Sequence, residues 1–316
     1  MSLKSGSDAS KPVIPVLTGA TGAGKSSLAY RLMDEFPNIE LISADSRQIY
    51  KYLDIGTAKP THDEMKKYPM HLVDCIEPGE RFTAFDFVEK SRNLIDSLFK
   101  KNTLPLICGG TGLYIRSLVE GIVEIPEDDL GYRDKLIDEA SSKGPKYLYE
   151  KLQKVDPVEA ERIHPHNIKK IIRALEIFHL TGKPKSELMS ENKSNEYPYS
   201  FQTVCFVPPR DELYDRINQR VDLMMDEGLL AEAEGLYKGA LKSAIRRVNV
   251  IGYEELFRHF DGDLSLEEAV NLIKQNSRRY AKRQITWFHG SKDISIFDNP
   301  EDIYENIRKI TALFKN

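Results

Sequence analysis

Two hydrophobic rhythms organise this chain. Short, nearly unbroken apolar runs, Val13-Ile14-Pro15-Val16-Leu17-Thr18, Glu40-Leu41-Ile42-Ser43-Ala44 and Leu104-Pro105-Leu106-Ile107-Cys108, each stop at a glycine or an aspartate. The first and third lead into Ser27-Leu28-Ala29-Tyr30-Arg31-Leu32-Met33 and Leu113-Tyr114-Ile115-Arg116, whose apolar positions have helical spacing. Strands alternating with helices predict an α/β fold with a parallel sheet and functional loops at the carboxyl ends of its strands. From about residue 122 to 199 the pattern turns to Lys/Glu-rich helical periodicity broken by Pro and Gly, which predicts a helical insertion. Phe201-Gln202-Thr203-Val204-Cys205-Phe206-Val207 then resumes the sheet, and the chain from Arg210 onward reads as mainly helical. The expected organisation is a disordered leader over 1–12, a core built from 13–121 and 200–316, and a helical insertion over 122–199.

Bulk properties narrow the classes. With 316 residues and 41% hydrophobic content the chain can bury a substantial core. No run approaches the roughly 18 apolar residues of a membrane span, and the polar start MSLKSGSDASKP lacks the apolar centre of a secretory signal, so a cytoplasmic, non-membrane protein is expected. Cys75, Cys108 and Cys205 are scattered, against a disulfide framework or zinc site. The net charge of −4 disfavours general nucleic-acid binding, but the charge is uneven. Between Glu268 and Asp293 there is no acidic residue, while Lys274, Arg278, Arg279, Lys282, Arg283 and Lys292 form a basic stripe.

The chemistry begins at Gly19-Ala20-Thr21-Gly22-Ala23-Gly24-Lys25-Ser26, which satisfies G-x-x-x-x-G-K-[ST] between a strand and a helix. Such a loop wraps a phosphate chain in backbone N–H groups; Lys25 adds a full charge, and the Ser26 hydroxyl can ligate Mg²⁺. A dinucleotide fingerprint is the rival reading, but strict G-x-G-x-x-G spacing is missing and Lys25-Ser26 favours the phosphate loop. Asp45, at the end of the second strand, can accept a proton from a nucleophile, hold Mg²⁺ through water, or cap a helix beginning at Ser46-Arg47-Gln48-Ile49-Tyr50. Gly109-Gly110-Thr111-Gly112 offers further backbone donors, or a plain tight turn. His164 and His166, without a further ligand, read as turn residues.

Seven blocks in order then resemble the tRNA dimethylallyltransferase family: the phosphate loop, Ser43-Ala44-Asp45-Ser46-Arg47-Gln48-Ile49-Tyr50, Asp54-Ile55-Gly56-Thr57-Ala58-Lys59-Pro60, Gly109-Gly110-Thr111-Gly112-Leu113-Tyr114, Arg173-Ala174-Leu175-Glu176, Ile251-Gly252-Tyr253 and Lys282-Arg283-Gln284-Ile285-Thr286-Trp287-Phe288. The resemblance implies a P-loop NTPase-like core whose loop Gly19–Ser26 holds dimethylallyl diphosphate, Mg²⁺ as cofactor, and a helical insertion gripping a tRNA anticodon stem-loop. It implies Asp45 as general base, with Lys25, Thr111 and Arg220 also at the active site. For tRNA contact it points to Asp45, Ser46, Arg47, Gln48, Thr111, Arg133, Lys169, Lys170, Ile171, Ile172, Arg173, Arg246, Arg247, Gly252, Tyr253, Lys282, Arg283, Gln284 and Trp287. The expected product is an N6-dimethylallyl adenosine 3′-adjacent to the anticodon, made by a monomer. An adenylate isopentenyltransferase, a small-molecule P-loop kinase and a non-catalytic RNA-binding module are the alternatives; the insertion and the basic stripe favour tRNA over a mononucleotide.

Overall fold

The computed structural model describes residues 11–122, 130–192, 197–291 and 293–314. Most of the expected leader, the start of the expected insertion at 123–129 and Lys292 of the basic stripe lie outside the described residues. The chain divides into two compact units, 1–119 with 198–316, and 120–197.

The first unit is built on six strands: β1 (Val13–Gly19), β2 (Ile39–Ser43), β3 (Met70–His71), β4 (Leu104–Gly109), β5 (Ser200–Phe206) and β6 (Ile294–Phe297). All pair in parallel, in the order β3-β2-β4-β1-β5-β6. Central β1 and β4 are buried along nearly their whole length because helices cover both faces, hence their unbroken apolar sequence. β1 lies between β4 and β5 in register Val16↔Ile107 and Val16↔Thr203, so the loops following β1 and β4 emerge side by side. The core packs Leu17, Leu32, Phe36 and Leu106 against Val204, Phe206 and Ile307. β3 and β6 were not anticipated; both are short edge strands. Among the described residues no helix is long and apolar enough to cross a membrane.

The second unit is helical: Leu130–Lys143, Pro145–Val155, Pro157–Arg162, Ile168–Thr181 and Lys185–Asn192. Its starts are chemically marked. Pro157 opens a helix capped by Asp156, whose Oδ1 accepts from Glu159 N at 3.0 Å and from Ser186 Oγ at 2.6 Å. Leu136, Leu148, Leu152, Ile163, Ile171, Ile172 and Leu175 form the core of this unit. Ile171 and Ile172, expected at a tRNA contact, therefore face inward: they occupy the apolar stripe of their helix, and only Lys169 and Lys170 beside them are exposed. His164 and His166 form a turn contact, His164 Nδ1 accepting from His166 N at 3.2 Å.

Leu152, fully buried in this small core, supplies a prediction. Leu152→Ala should destabilise the helical unit by about 2–5 kcal/mol, read as a lowered urea midpoint for the loss of helical circular dichroism.

Candidate active site

The first unit encloses a cavity of about 630 Å³ at the carboxyl ends of β1, β2 and β4. Its polar wall includes Thr21, Gly22, Gly24, Lys25, Ser26, Asp45, Arg47, Gln48, Gly110, Arg220, Arg283 and Gln284, and its apolar wall Leu41, Ile217, Val221, Met224, Val250, Ile251 and Ile273.

The phosphate loop leaves β1 and enters the helix Lys25–Glu35 through Gly24, whose φ of 102° is the left-handed conformation that glycine alone adopts without strain. No side chain caps this helix, so its N-terminal partial charge faces the cavity uncompensated. Lys25 Nζ donates to the carbonyls of Gly19 at 3.1 Å and Ala20 at 2.7 Å. Burial lowers its pKa, offset in part by the neighbouring Cys108 and Asp45. On the helix Arg210–Asp226, Arg220 Nη1 donates to Thr21 Oγ1 at 3.3 Å; burial lowers its pKa also, and Asp45 opposes the shift. One helical turn earlier Arg216 Nη1 donates to Ala23 O at 3.3 Å, a contact to the same loop that the sequence reading missed although the i,i+4 spacing puts both guanidiniums on one face.

Asp45 follows β2. Its Oδ1 accepts from the backbone N–H of Arg47 at 2.8 Å and Gln48 at 3.2 Å, so the capping role and the cavity-facing role coexist. The following residues form a turn instead of a helix. Thr111 lies just behind the wall: its hydroxyl accepts from Ser46 N at 3.0 Å, and its own N–H donates to Ala44 O at 3.1 Å. It thereby holds the Asp45 turn against the end of β4.

The long helix Leu266–His289 joins the loops. Gln284 is buried; its Oε1 accepts from Thr21 N at 2.9 Å and its Nε2 donates to Gly110 O at 2.8 Å. A Cβ at Gly110 would overlap this amide, and one at Gly112 would overlap the Trp287 ring. Two of the seven sequence blocks thus meet face to face. Trp287 is 38% exposed, with the Arg116 guanidinium 4.7 Å above its ring, and is not a core residue. Tyr280, which the sequence reading overlooked, lines the cavity with a phenol pushed up to about 12, chiefly by burial.

A sequence model of the IPP transferase family matches residues 48–291. The chain belongs to that family. It is 43% identical over 289 residues to tRNA dimethylallyltransferase 1 of Syntrophotalea carbinolica, with 92% of each chain covered. To the tRNA dimethylallyltransferase of Bacillus cereus it is 45% identical over 287 residues, 90% of this chain and 89% of the other. Among solved structures it is similar to the full-length tRNA isopentenylpyrophosphate transferase of Bacillus halodurans, at 37% identity and a TM-score of 0.68, covering 96% of this chain and 98% of that one. It is also similar to a eukaryotic dimethylallyltransferase acting on tRNA, at 29% identity and a TM-score of 0.74, covering 90% and 73%. This IPP transferase shares their P-loop NTPase-like α/β core.

Several side chains expected to touch RNA have other employment in this family member. Tyr253 is 0% exposed, its hydroxyl donating to Glu232 Oε1 at 2.5 Å, so its ring is a buried support instead of a contact surface. Arg133 and Arg173 engage the buried carboxylate of Glu176 within the helical unit. Arg246 pairs with Asp261, which Tyr237, Arg246 and Lys242 together hold down to about 2. Gln284 reaches the cavity, but both ends of its amide are committed to the protein. Gly252 lines the cavity, while Arg247, Lys282 and Arg283 are exposed. The thiol of Cys108 also lines the cavity, and burial raises it to about 11, which keeps it a protonated, unreactive wall residue near neutral pH.

Gln284→Leu keeps the volume but strips partners from Thr21 N and Gly110 O. It should cost about 2 kcal/mol of stability, seen in the urea midpoint. Lys25→Met tests the buried charge. In the ligand-free protein the folded pKa lies below the ordinary 10.5, so between the two values the unfolded chain binds more protons and stability rises with pH. The variant should exceed wild type in stability most near neutral pH, with the margin shrinking as pH climbs toward 10.5 in urea titrations.

Proposed function

We propose that this chain transfers a dimethylallyl group from dimethylallyl diphosphate to the N6 amine of the adenosine 3′-adjacent to the anticodon in tRNA, releasing diphosphate. The carrying observation is that one cavity joins a phosphate loop and two half-buried cations to an apolar wall, with the Asp45 carboxylate among them. A diphosphate with a short hydrocarbon tail matches that division of polarity. The similarity to tRNA dimethylallyltransferases supports the same reading.

The reaction breaks the allylic C–O bond, forms the bond from carbon to N6, and frees the proton of the amine. Negative charge grows on the departing diphosphate, which Lys25, Arg220 and the helix N-terminus at the cavity wall would stabilise as it develops. Asp45 takes the amine proton. Two backbone N–H groups fix its Oδ1, leaving Oδ2 for the nucleophile. The base must leave its stack to reach the cavity. Exposed Arg283 and Lys282 on the helix Leu266–His289, and Lys169 and Lys170 on the helical unit, supply charge for RNA phosphates, while Trp287 supplies a partly exposed ring for stacking.

The oxygen donors at the cavity suit Mg²⁺, a hard cation that binds through few protein groups and substrate phosphates. The Ser26 hydroxyl would hold it directly, and Asp45 through water. Among the described residues there is no cluster of three or more His, Cys, Asp or Glu side chains placed for a metal, which fits an ion carried mainly by the diphosphate. When bound, it neutralises charge on the leaving group.

The test is incubation of purified protein with Mg²⁺ and labelled dimethylallyl diphosphate in the presence of unmodified tRNA, AMP or ATP, followed by nucleoside mass analysis. Label is expected in a tRNA adenosine; label in AMP or ATP, or ATP turnover without transfer, overturns the assignment. Asp45→Asn should lower kcat by about 10²–10⁴-fold and abolish the acidic limb of the pH–rate profile. Persistence of that limb would remove the base role.

A further inference from the structure

The block Asp54-Ile55-Gly56-Thr57-Ala58-Lys59-Pro60 supplies no reacting group to the chemistry above, yet it sits in unusually constrained backbone. Four of the six described non-glycine residues with positive φ, Tyr52, Ala58, Leu72 and Asp74, fall in this loop or in the segment beside it. Left-handed backbone at residues carrying a Cβ persists only where surrounding contacts over-determine it, and such strain concentrates where geometry serves function.

Those contacts come from two sides. On one, the Lys59 side chain is only 3% exposed, and its ammonium donates to Tyr50 O at 2.7 Å, Asp54 Oδ1 at 2.5 Å and Asp74 Oδ1 at 2.7 Å. All three of its protons are used, so the charge is buried without being orphaned. On the other, the Glu232 carboxylate accepts from Ile55 N at 3.0 Å and Gly56 N at 3.4 Å, while the Tyr253 hydroxyl donates to Glu232 and accepts from Gly56 N at 3.2 Å. The fit is close enough that a Cβ at Gly56 would lie 2.6 Å from the Tyr253 ring. Facing the cavity, the loop presents two carbonyls. Gln48 Nε2 donates to Thr57 O at 3.2 Å and Ala58 O at 2.8 Å, and Arg220 Nη2 donates to Thr57 O at 3.5 Å while its Nη1 reaches the phosphate loop.

We propose that Lys59 and the Glu232–Tyr253 pair are positioning residues. They lock the 54–59 loop from both sides so that the Thr57 carbonyl aims Arg220 at the diphosphate and the Ala58 carbonyl aims Gln48 into the cavity. This rests on the reading of the cavity as a diphosphate site. None of the three side chains needs to touch substrate; each acts through the carbonyls it fixes. The loop also joins the Ile251-Gly252-Tyr253 block to the phosphate loop through one shared network, which gives that block a role in donor binding in place of RNA contact.

Inorganic diphosphate with Mg²⁺ is the probe, because its binding involves no RNA. Calorimetric titration is carried out on wild type, Lys25→Ala, Tyr253→Phe, Lys59→Met, Arg220→Lys and the double variant Tyr253→Phe/Arg220→Lys, with circular dichroism establishing that each is folded. Tyr253→Phe deletes one hydroxyl and is the variant expected to keep its fold should Lys59→Met fail. It should weaken diphosphate binding about tenfold, the scale of one lost hydrogen bond to a charged group. Combined with Arg220→Lys, the loss should be smaller than the product of the two separate losses, since both act through one guanidinium. Wild-type affinity in folded Tyr253→Phe, or fully multiplicative losses, overturns the inference alone. A wild-type chain that does not bind diphosphate, or binds it equally well after Lys25→Ala, overturns the functional reading and the inference with it.

Discussion

One side-chain amide holds the site together. Gln284 reaches from the helix Leu266–His289 to accept from the phosphate loop and donate to the loop after β4. Backbone groups buried at strand ends have no ladder partners there, and an unpaired one costs as much as a lost hydrogen bond. The amide, with its donor and acceptor at fixed separation, satisfies one group on each loop and so sets the distance between them. Thr111 extends the same stitching from β4 to the Asp45 turn. Three loops from three adjacent strands thereby become a single wall, and the chemistry inherits its geometry from residues nearly the whole length of the chain apart.

Into that wall the fold sets two cations against its own solvation preference. Lys25 and Arg220 are both pushed toward neutrality by burial, and Asp45 counteracts this at each. A cavity in this condition favours an incoming polyanion, which replaces lost hydration with direct charge pairing. The same desolvation weakens the empty protein, so the arrangement exchanges stability of the free fold for affinity toward such an anion.

Much of this could be read in the sequence, and the failures share a cause. β1, β2, β4 and β5 are visible because strands buried by helices on both faces must be apolar throughout; β3 and β6 are too short, with two and four residues, to raise a signal. The phosphate loop and Asp45, read from motif and strand end, and Arg220, named through the resemblance, line one cavity, while the helical unit spans 120–197 against an expected 122–199. Motif proximity, however, carries no information about which way a side chain faces. Ile171, Ile172 and Tyr253 lie within or beside blocks rich in RNA-binding residue types but point into cores. Arg216, Tyr280 and Glu232 have no motif of their own, and only the packing of their helices brings them to the loops. Glycines were the most informative letters: Gly56, Gly110 and Gly112 mark places where blocks distant in sequence approach too closely for a Cβ.

The two shortest strands are also the two borders of the sheet. A border strand shows a row of unsatisfied amides and carbonyls that invites another chain to continue the ladder, and the invitation scales with its length. Here β3 offers two residues on one flank, and β6, closed off by Asp298 and Pro300, offers four on the other. A sheet whose centre must be long and apolar to carry the cavity is thus terminated by stubs that offer little for another strand to pair with, which lets it keep a strongly hydrophobic interior without long open borders.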